Sequence, residues 1–291
     1  MQIAITLVSP DPAATEQARG LLLPLLGRFE AASLGAGALD ILVEVQDLLA
    51  LRALVDHALK DLAVDHCVQD AEGRRKLLLV ADMDSTIIGC ECLDELADFA
   101  GVKDVVSAIT ERAMRGELDF EAALRERVAM LKGLPVSALQ TCYDERVRLN
   151  AGAKTLIGTM AASGARCLLV SGGFTFFTTR VAAAAGFAED RANRLIEADG
   201  CLTGAVAEPI LGKAAKLASL EQEAKALGLD LSQTIAIGDG ANDLAMIEAA
   251  GLGIAYRAKP IVAAKAHARI DHSDLTALLY FQGYSQDAFI G

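Results

Sequence analysis

The sequence of 291 residues contains no Cys-x-x-Cys pair and only four histidines. Its six cysteines are scattered along the chain, which argues against a disulfide scaffold and indicates reduced thiols in a cytoplasmic protein. Cys90 and Cys92 are close enough in sequence to share a metal ion, but no histidine lies near them. The sequence therefore does not indicate a cysteine–histidine metal site at this pair.

Positive charge and long apolar runs are also scarce. Lys and Arg number 27 against 39 acidic side chains, so the formal net charge is −12. Nucleic acids and anionic membranes need a positive footprint, so the composition argues against both as main partners, although a locally positive pocket can still bind a small anionic substrate. The apolar segment 1–10 is too short to span a bilayer and has no basic flank, which argues against a signal peptide.

Apolar residues are abundant, at 53% of the chain, which excludes a disordered protein, and the length suggests about two domains. In residues 1–75, alternating apolar residues predict a strand at 3–7, and a second apolar run lies at 42–45. Helical spacing marks residues 13–26 and 47–62. This order predicts a small amino-terminal α+β domain of the ferredoxin-like or regulatory ligand-binding type.

After a linker at 70–75, residues 76–291 alternate continuous apolar runs with helical patterns. Three of these runs end at Asp82, Ser171 and Asp239. Continuous apolar runs are typical of strands that are buried on both faces of a parallel sheet. We therefore predict an α/β fold with a doubly wound parallel sheet, whose ligands bind beyond the carboxyl ends of the strands.

A helical insertion follows the first strand of this sheet, at about residues 90–150, where no convincing strand pattern occurs. Glycines punctuate the segment and divide it into helices. Four helices are predicted, at 91–100, 103–115, 120–131 and 136–149. An insertion at this point lies above the carboxyl end of the sheet, so we predict that it forms a lid over the site.

Two acidic motifs carry the strongest chemical signal. Asp82 and Asp84 follow the first strand, and carboxylates at this spacing can divide the roles of ionised group and proton carrier. Asp239, in the glycine-rich stretch 238–243, is placed to approach a cation held by Asp82, and magnesium prefers such oxygen ligands. The alternatives are an acidic surface turn and a turn in which Asn242 or Asp243 caps a helix.

Two weaker signals complete the pattern. Ser171, Gly172 and Gly173 follow a strand and could cradle a phosphate with a hydroxyl and backbone N–H groups, although any tight turn uses such residues. Lys216 begins a helix and could neutralise an anion, but a solvated lysine is the usual role of such a residue. Lys213 is its nearby competitor.

In this order, the motifs closely resemble those of the haloacid dehalogenase (HAD) superfamily of phosphotransferases, over residues 76–274. Within the superfamily, the chain resembles the branch that hydrolyses O-phosphoserine. Four stretches carry this resemblance: Asp-Met-Asp-Ser-Thr at 82–86, Ser-Gly-Gly-Phe at 171–174, Ala-Asn-Arg-Leu at 192–195 and Gly-Asp-Gly-Ala-Asn-Asp at 238–243.

The resemblance implies a role for each catalytic position. Asp82 is expected to attack phosphorus and form an aspartyl phosphate, and Asp84 to act as general acid and then as general base. Mg²⁺ is expected to be held by Asp82, Asp239 and the backbone carbonyl of Asp84. Lys216 and Ser171 are expected to neutralise the phosphoryl oxygens.

Three further positions around the phosphoryl group are also implied by the resemblance. The Gly172 N–H is expected to assist Ser171. Asn242 is expected to contact the substrate or the phosphoryl group, and Asp243 to orient Lys216 or a metal-bound water.

The lid is expected to select the substrate, because O-phosphoserine carries an ammonium and a carboxylate besides its phosphate. Glu91 resembles the family residue that meets the ammonium, and Arg127 the one that clamps the carboxylate. Met114 and Phe120 resemble apolar lid residues that exclude water. The alternatives are that Arg125 and Arg127 are both solvated and that Glu91 is an ordinary acid at a helix start.

The resemblance thus implies a cytoplasmic Mg²⁺-dependent phosphatase that completes serine biosynthesis. One alternative is a related HAD enzyme that hydrolyses another small phosphomonoester or transfers phosphate to an acceptor such as homoserine. The other is a non-catalytic amino-acid sensor. Residues 1–75 resemble the regulatory, ACT-like domain of longer family members, and three roles stay open for them: amino-acid binding, homodimerisation or added stability.

Overall fold

The amino-terminal module contains one antiparallel sheet and two helices in a computed structural model that describes residues 1–291. The four strands are β1 (Gln2–Val8), β2 (Phe29–Gly35), β3 (Ala38–Glu44) and β4 (Asp65–Asp70). The helices are α1 (Pro12–Leu22) and α2 (Leu48–Leu59). The chain order β-α-β-β-α-β and the sheet order β2-β3-β1-β4 are ferredoxin-like, as predicted.

Both edge strands of this sheet were missing from the prediction, which had only two strands. Most residues of β2 are exposed, so this strand shows no buried alternation. The sequence of β4 is largely polar, and its first residue, Asp65, lies in the interior. Hydrophobic periodicity, the main sequence signal for a strand, is weak in both.

The two faces of the amino-terminal sheet pack differently. Ile3, Ile5 and Leu7 point to one face and form a hydrophobic cluster with α1 and α2 that is separate from the other cores of the chain. The opposite face packs on the carboxyl-terminal helix α12 (Ala277–Phe281). There the Gln69 side chain donates to the Phe281 carbonyl over 2.8 Å.

Residues 76–291 contain a six-stranded parallel sheet, which confirms the predicted α/β fold class. Its strands are β5 (Leu78–Ala81), β6 (Arg166–Phe174), β7 (Glu189–Asn193), β10 (Thr234–Gly238), β11 (Leu252–Tyr256) and β12 (Ala268–Ile270), in the order β12-β11-β10-β5-β6-β7. The helices beside it are α7 (Ala153–Ala162), α8 (Thr175–Ala185), α9 (Lys213–Ala226), α10 (Leu244–Ala249) and α11 (Pro260–Ala263). No helix combines the length and the apolar character that crossing a bilayer requires.

The insertion after β5 consists of four helices, as predicted. They are α3 (Cys92–Phe99), α4 (Lys103–Met114), α5 (Phe120–Ala129) and α6 (Ser137–Arg146). A hairpin of β8 (Leu195–Ala198) and β9 (Cys201–Val206) also packs on them, and Gly133 and Leu134 exchange backbone hydrogen bonds with Leu202. We call α3–α6 together with this hairpin the cap. The sequence did not predict that the hairpin belongs to it.

The last residues of the chain, which the sequence left without a role, are structural. Phe281 is fully buried and Tyr284 is 3% exposed. The Tyr280 ring lies 5.0 Å from the Phe289 ring, measured between centroids. These aromatic residues fill the space between the parallel sheet and the amino-terminal sheet.

Candidate active site

The carboxyl ends of three adjacent strands bring the acidic motifs together. Strand β5 lies between β10 and β6 in the sheet, so the residues that follow these strands share one edge. Asp82 follows β5, Asp239 follows β10, and Ser171 lies in β6 close to its end. Strand β6 continues to Phe174 with an irregular register after Val170, so the serine–glycine stretch is a distorted strand end and not a separate turn.

Lys216 is the centre of the charged cluster. It lies in the first turn of α9, is fully buried, and its Nζ lies 2.5 Å from Asp82 Oδ1 and 2.5 Å from Asp243 Oδ1. Burial opposes its charge, but the charges of Asp243 and Asp82 outweigh burial and raise its pKa above the ordinary value. Lys213, the alternative in the sequence, is exposed.

Asp243 shapes the loop after β10. Its second oxygen accepts the backbone N–H groups of Asp239 and Gly240, over 3.2 and 3.1 Å. The alternative of a side-chain helix cap is therefore wrong, because Asp243 makes no capping hydrogen bond to α10. Gly238 is required beside it, since a Cβ at that position would lie 2.4 Å from the Asp243 carboxyl carbon.

Asp84 lies between the cap and the serine–glycine stretch. Its Oδ1 accepts the Cys92 N–H over 2.9 Å, and its Oδ2 accepts the Ser171 hydroxyl over 3.1 Å. The Ser171 oxygen in turn accepts the Gly173 N–H over 2.8 Å. Burial is the main cause that raises the pKa of Asp84 above its ordinary value, which favours the protonated form of this carboxyl.

Glu91 contributes a further, half-buried acid at the start of the cap. It occupies the amino-terminal cap position of α3, as the alternative of a helix-start acid expects, but its carboxylate makes no capping hydrogen bond to that helix. The Ser85 hydroxyl donates to that carboxylate over 2.6 Å. Burial, followed by the charge of Asp84, raises its pKa to about 8. A neighbouring cation would therefore stabilise its ionised form.

The site has the ligands that a divalent cation requires. One carboxylate oxygen from each of Asp82, Asp239 and Asp243 lies within 4.8 Å of the others. Asp239 Oδ1 is buried and has no hydrogen-bond partner. Burial and then the charge of Asp243 raise the pKa of Asp82 to about 7, and burial raises that of Asp239. Both oxygens of Asp243 are bonded, one to Lys216 and the other to the Asp239 and Gly240 N–H groups, whereas Asp82 uses only one oxygen for Lys216. Asp82 and Asp239 are therefore the two carboxylates left to bind a cation.

The cap contributes one arginine to the site. Arg127 is 6% exposed, its Nε donates to the Ala123 carbonyl over 3.1 Å, and one terminal nitrogen donates to the Thr110 hydroxyl over 2.8 Å. It forms no ion pair within 4.0 Å, so a buried charge lacks an anionic partner. Arg125 is instead half-exposed and pairs with Glu121 and Glu208.

Two apolar cap residues close over the sheet. Phe120 lies against Gly172, where a Cβ would come within 2.5 Å of the ring. The Met114 side chain lies against Gly240, and its carbonyl accepts the Ala241 N–H over 3.0 Å. The cap therefore contacts both the serine–glycine stretch and the loop after β10.

A cavity lies between the cap and the sheet. Its lining contains residues from both sides: Asp82, Asp84, Glu91, Leu93, Thr110, Ala113, Met114, Phe120, Leu124, Arg127, Ser171, Gly172, Gly173, Phe174 and Asn242. The Asn242 side-chain oxygen is buried without a partner, so a hydrogen-bond donor on a ligand could satisfy it.

Sequence reasoning gave no role to two polar residues beside this cavity. Asn193 donates to the Gly172 and Leu211 carbonyls and accepts the Leu211 N–H, which fixes the position of the serine–glycine stretch. It lies in the matched stretch 192–195, a signal that could have identified it. Thr110 lies within α4, where no sequence pattern distinguishes it.

Comparison with known proteins gives consistent results for family and fold. A phosphoserine phosphatase of Streptococcus thermophilus is 52% identical over 200 residues, which are 69% of this chain and 93% of that protein. A HAD family hydrolase of Salmonella enterica serovar Typhi has a crystal structure with a TM-score of 0.85 at 32% identity, covering 98% of this chain and 99% of that one.

A structure described as a phospho-aspartyl intermediate analogue of phosphoserine phosphatase matches with a TM-score of 0.68 at 41% identity, over 71% of this chain and 99% of that one. The model of the haloacid dehalogenase-like hydrolase family matches residues 79–248, which include both acidic motifs, the cap helices and Lys216. This chain therefore belongs to the haloacid dehalogenase-like hydrolase family.

Proposed function

We propose that the protein hydrolyses O-phospho-L-serine to L-serine and inorganic phosphate. The observation that carries this proposal is a cavity with two kinds of subsite. Asp82, which is bonded to Lys216, lies at its base, whereas buried Arg127 without an ion pair and half-buried Glu91 line its cap side. Phosphate, carboxylate and ammonium groups on one small molecule match these charges. The relative from Streptococcus thermophilus carries the corresponding name.

In the first half of the reaction, a carboxylate oxygen of Asp82 attacks phosphorus. The new oxygen–phosphorus bond forms as the bond to the serine oxygen breaks, and Asp84 gives its proton to that oxygen. Lys216 holds Asp82 Oδ1 and fixes the direction of the attacking group. The products of this half are free L-serine and an aspartyl phosphate on Asp82.

In the second half, water attacks the phosphorus of the aspartyl phosphate. Asp84 is now ionised and accepts a proton from this water, and the bond between phosphorus and the Asp82 oxygen breaks. Inorganic phosphate leaves, and both carboxyl groups return to their starting states. Ser171, beside Asp84, and Lys216 are the donors that neutralise the phosphoryl oxygens, with the Gly172 N–H as an additional donor.

The buried, unpartnered oxygen of Asp239 supports a Mg²⁺ site. The residues that would hold the ion are Asp82, Asp239 and the backbone carbonyl of Asp84. When bound, Mg²⁺ neutralises negative charge on the transferring phosphoryl group. Asp243 orients Lys216, and its bonds to the Asp239 and Gly240 N–H groups hold the loop in place. Asn242 contacts the substrate through its unpartnered oxygen.

A panel of phosphate esters tests the substrate. We expect O-phosphoserine to have the highest kcat/KM, and phosphoethanolamine, which lacks the carboxylate, to fall by about 10- to 100-fold because Arg127 then stays unpaired. The kcat/KM for phospholactate, which lacks the ammonium, should fall by a similar factor because Glu91 then has no cation to bind. Formation of phosphohomoserine from homoserine, or a better substrate among the other esters, would contradict the proposal.

Removal of divalent cations tests whether hydrolysis requires Mg²⁺ and whether Asp239 is one of its ligands. We expect EDTA to abolish hydrolysis and Mg²⁺ to restore it. Mg²⁺ should also raise the thermal unfolding midpoint of the wild type, because a ligand that binds only the folded state stabilises it. The Asp239→Asn variant should lose this rise, whereas Asp61→Asn, an exposed control in the amino-terminal module, should keep it. A full rise in Asp239→Asn would contradict this ligand assignment.

We further propose that residues 1–75 form an ACT-like domain and residues 76–291 the phosphatase domain, with the helical part of its lid at about 90–150. The separate hydrophobic cluster of the amino-terminal module supports this division.

The six cysteines are free thiols, which supports a cytoplasmic location. The enzyme acts on a small metabolite and, in this proposal, supplies the last step of serine biosynthesis. Homodimerisation through the amino-terminal domain stays a prediction.

A further inference from the structure

A chain of hydrogen bonds connects three cap helices behind Arg127. The Arg127 terminal nitrogen donates to the Thr110 hydroxyl over 2.8 Å, and this hydroxyl donates to Asp94 Oδ1 over 2.6 Å. Arg127 lies on α5, Thr110 on α4 and Asp94 on α3. Thr110 is 4% exposed and Asp94 8%, so solvent cannot replace these contacts at low cost.

The direction of the chain follows from the chemistry of its members. A guanidinium can only donate hydrogen bonds, and an ionised carboxylate can only accept them. The single hydroxyl proton of Thr110 must therefore point to Asp94, which turns the oxygen lone pairs towards Arg127. Donation to Asp94 polarises the hydroxyl and makes its oxygen a stronger acceptor for the guanidinium, although Asp94 and Arg127 form no ion pair.

The indirect connection leaves Arg127 available to a ligand. A carboxylate bound directly to the guanidinium would occupy the paired N–H groups that clamp a carboxylate ligand. Here only Nε and one terminal nitrogen have protein acceptors. Thr110 and Arg127 line the cavity, whereas Asp94 does not.

We propose that Asp94 and Thr110 are positioning residues that fix Arg127 for the substrate carboxylate and so determine selectivity for phosphorylated amino acids. This inference rests on the proposed function and adds two residues to it. Neither residue touches the reacting atoms, so both act on substrate binding and leave the chemical step unchanged.

The Thr110→Val variant removes the hydroxyl and keeps the shape of the side chain. We expect the KM for O-phosphoserine to rise by about 10- to 100-fold with kcat nearly unchanged, since binding common to ground and transition states is lost. For p-nitrophenyl phosphate, which has no carboxylate, kcat/KM should stay within about twofold of the wild type. Thr110→Ser restores the hydroxyl and should restore the KM.

A double-mutant cycle separates positioning from a general effect on the cap. In the Arg127→Ala background, Thr110→Val should cause no further rise in KM, because the residue that it positions is already absent. Asp94→Asn keeps an acceptor for the hydroxyl but removes the charge, and it should raise the KM less than Thr110→Val does. Thermal unfolding of every variant reports whether the cap still folds.

Any of three results would overturn the inference. The first is an equal loss of kcat/KM on both substrates in Thr110→Val. The others are an undiminished rise in KM when Thr110→Val is added to Arg127→Ala, and a KM in Thr110→Ser as high as in Thr110→Val. If Thr110→Val is too unstable to assay, Asp94→Asn takes its place as the variant that weakens the hydrogen-bond chain, and Thr110→Ser stays the control that keeps the hydroxyl. An unchanged KM in Asp94→Asn would then overturn the inference. A wild type without preference for O-phosphoserine would instead contradict the proposed function, and this is measured before any variant is made.

Discussion

Replacing Asp82 with asparagine will abolish hydrolysis of O-phosphoserine, with a loss in kcat of about 10⁴-fold or more. An amide lacks the negative charge that attacks phosphorus, and it is a poor ligand for Mg²⁺. The side chain is 3% exposed and lies at the base of the cavity, so water cannot readily take its place as the attacking group in the same geometry. Steady-state release of phosphate measures the loss.

The Asp82→Asn variant is expected to fold normally. Burial and the charge of Asp243 already disfavour ionised Asp82, as its pKa of about 7 indicates, and the amide oxygen can still accept a bond from Lys216. Without added metal, the thermal unfolding midpoint should therefore stay within about 4 °C of the wild type, roughly 1 kcal/mol for a chain of this size. Asp61→Asn is the matched control at an exposed position.

Acid quenching with ³²P-labelled substrate tests the same assignment directly. Wild-type protein should retain label as the aspartyl phosphate, and the Asp82→Asn variant should retain none. Label on the variant, or turnover at more than a small fraction of the wild-type rate, would show that another group is the nucleophile.

The Lys216→Met variant should lose both activity and stability. Methionine fills a similar volume, but it leaves Asp82 and Asp243 buried without the cation that lies 2.5 Å from each. Breaking a buried ion pair in this way costs about 3–5 kcal/mol. We also expect kcat to fall by about 10³-fold or more, because Lys216 neutralises the transition state and holds Asp82. Chemical denaturation and phosphate release measure the two losses.

The loss of stability in Lys216→Met should depend on pH. The pKa of Asp82 is about 7 in the folded wild type against an ordinary value of 3.8, and removal of Lys216 can only raise it further. A carboxyl with a raised pKa in the folded state contributes stability below its unfolded pKa and loses it as pH rises through the folded value. The variant should therefore be least destabilised near pH 4 and most destabilised above pH 7.

Lys213→Met provides the matched control. Lys213 lies in the same first turn of α9 but is exposed, so its replacement should change the free energy of unfolding by less than about 0.5 kcal/mol. Equal effects of the two substitutions, or a loss of stability in Lys216→Met that does not vary with pH, would contradict the role of Lys216 as the buried counter-ion.

The acidic motifs could be placed from the sequence because each follows a strand that is buried on both faces. Strands β5 and β10 read as continuous apolar runs, and the carboxyl ends of parallel neighbours share one edge. The proximity of Asp82 to Asp239 follows from that topology. Strands β2 and β4 could not be predicted in the same way, because their exposed or polar residues carry no apolar period.

The cap shows where local patterns fail. Arg125 and Arg127 are two residues apart on α5, so they point to different faces of the helix. Their residue types are identical, and only the packing of α5 against α4 and the hairpin decides which one is buried. The chain from Arg127 through Thr110 to Asp94 joins three helices, and no single stretch of sequence contains it.

The amino-acid sequence by itself determined the α/β class, the helical nature of the insertion and the chemistry available at the strand ends. These features depend on residues that are neighbours along the chain, where periodicity and motif spacing act. Only the tertiary structure decided that Lys216 joins Asp82 to Asp243, that Arg127 is buried without an ion pair, and that the carboxyl-terminal aromatic residues pack against the amino-terminal sheet. Such contacts join distant segments, and their burial, which sets their energies, exists only once the chain has folded.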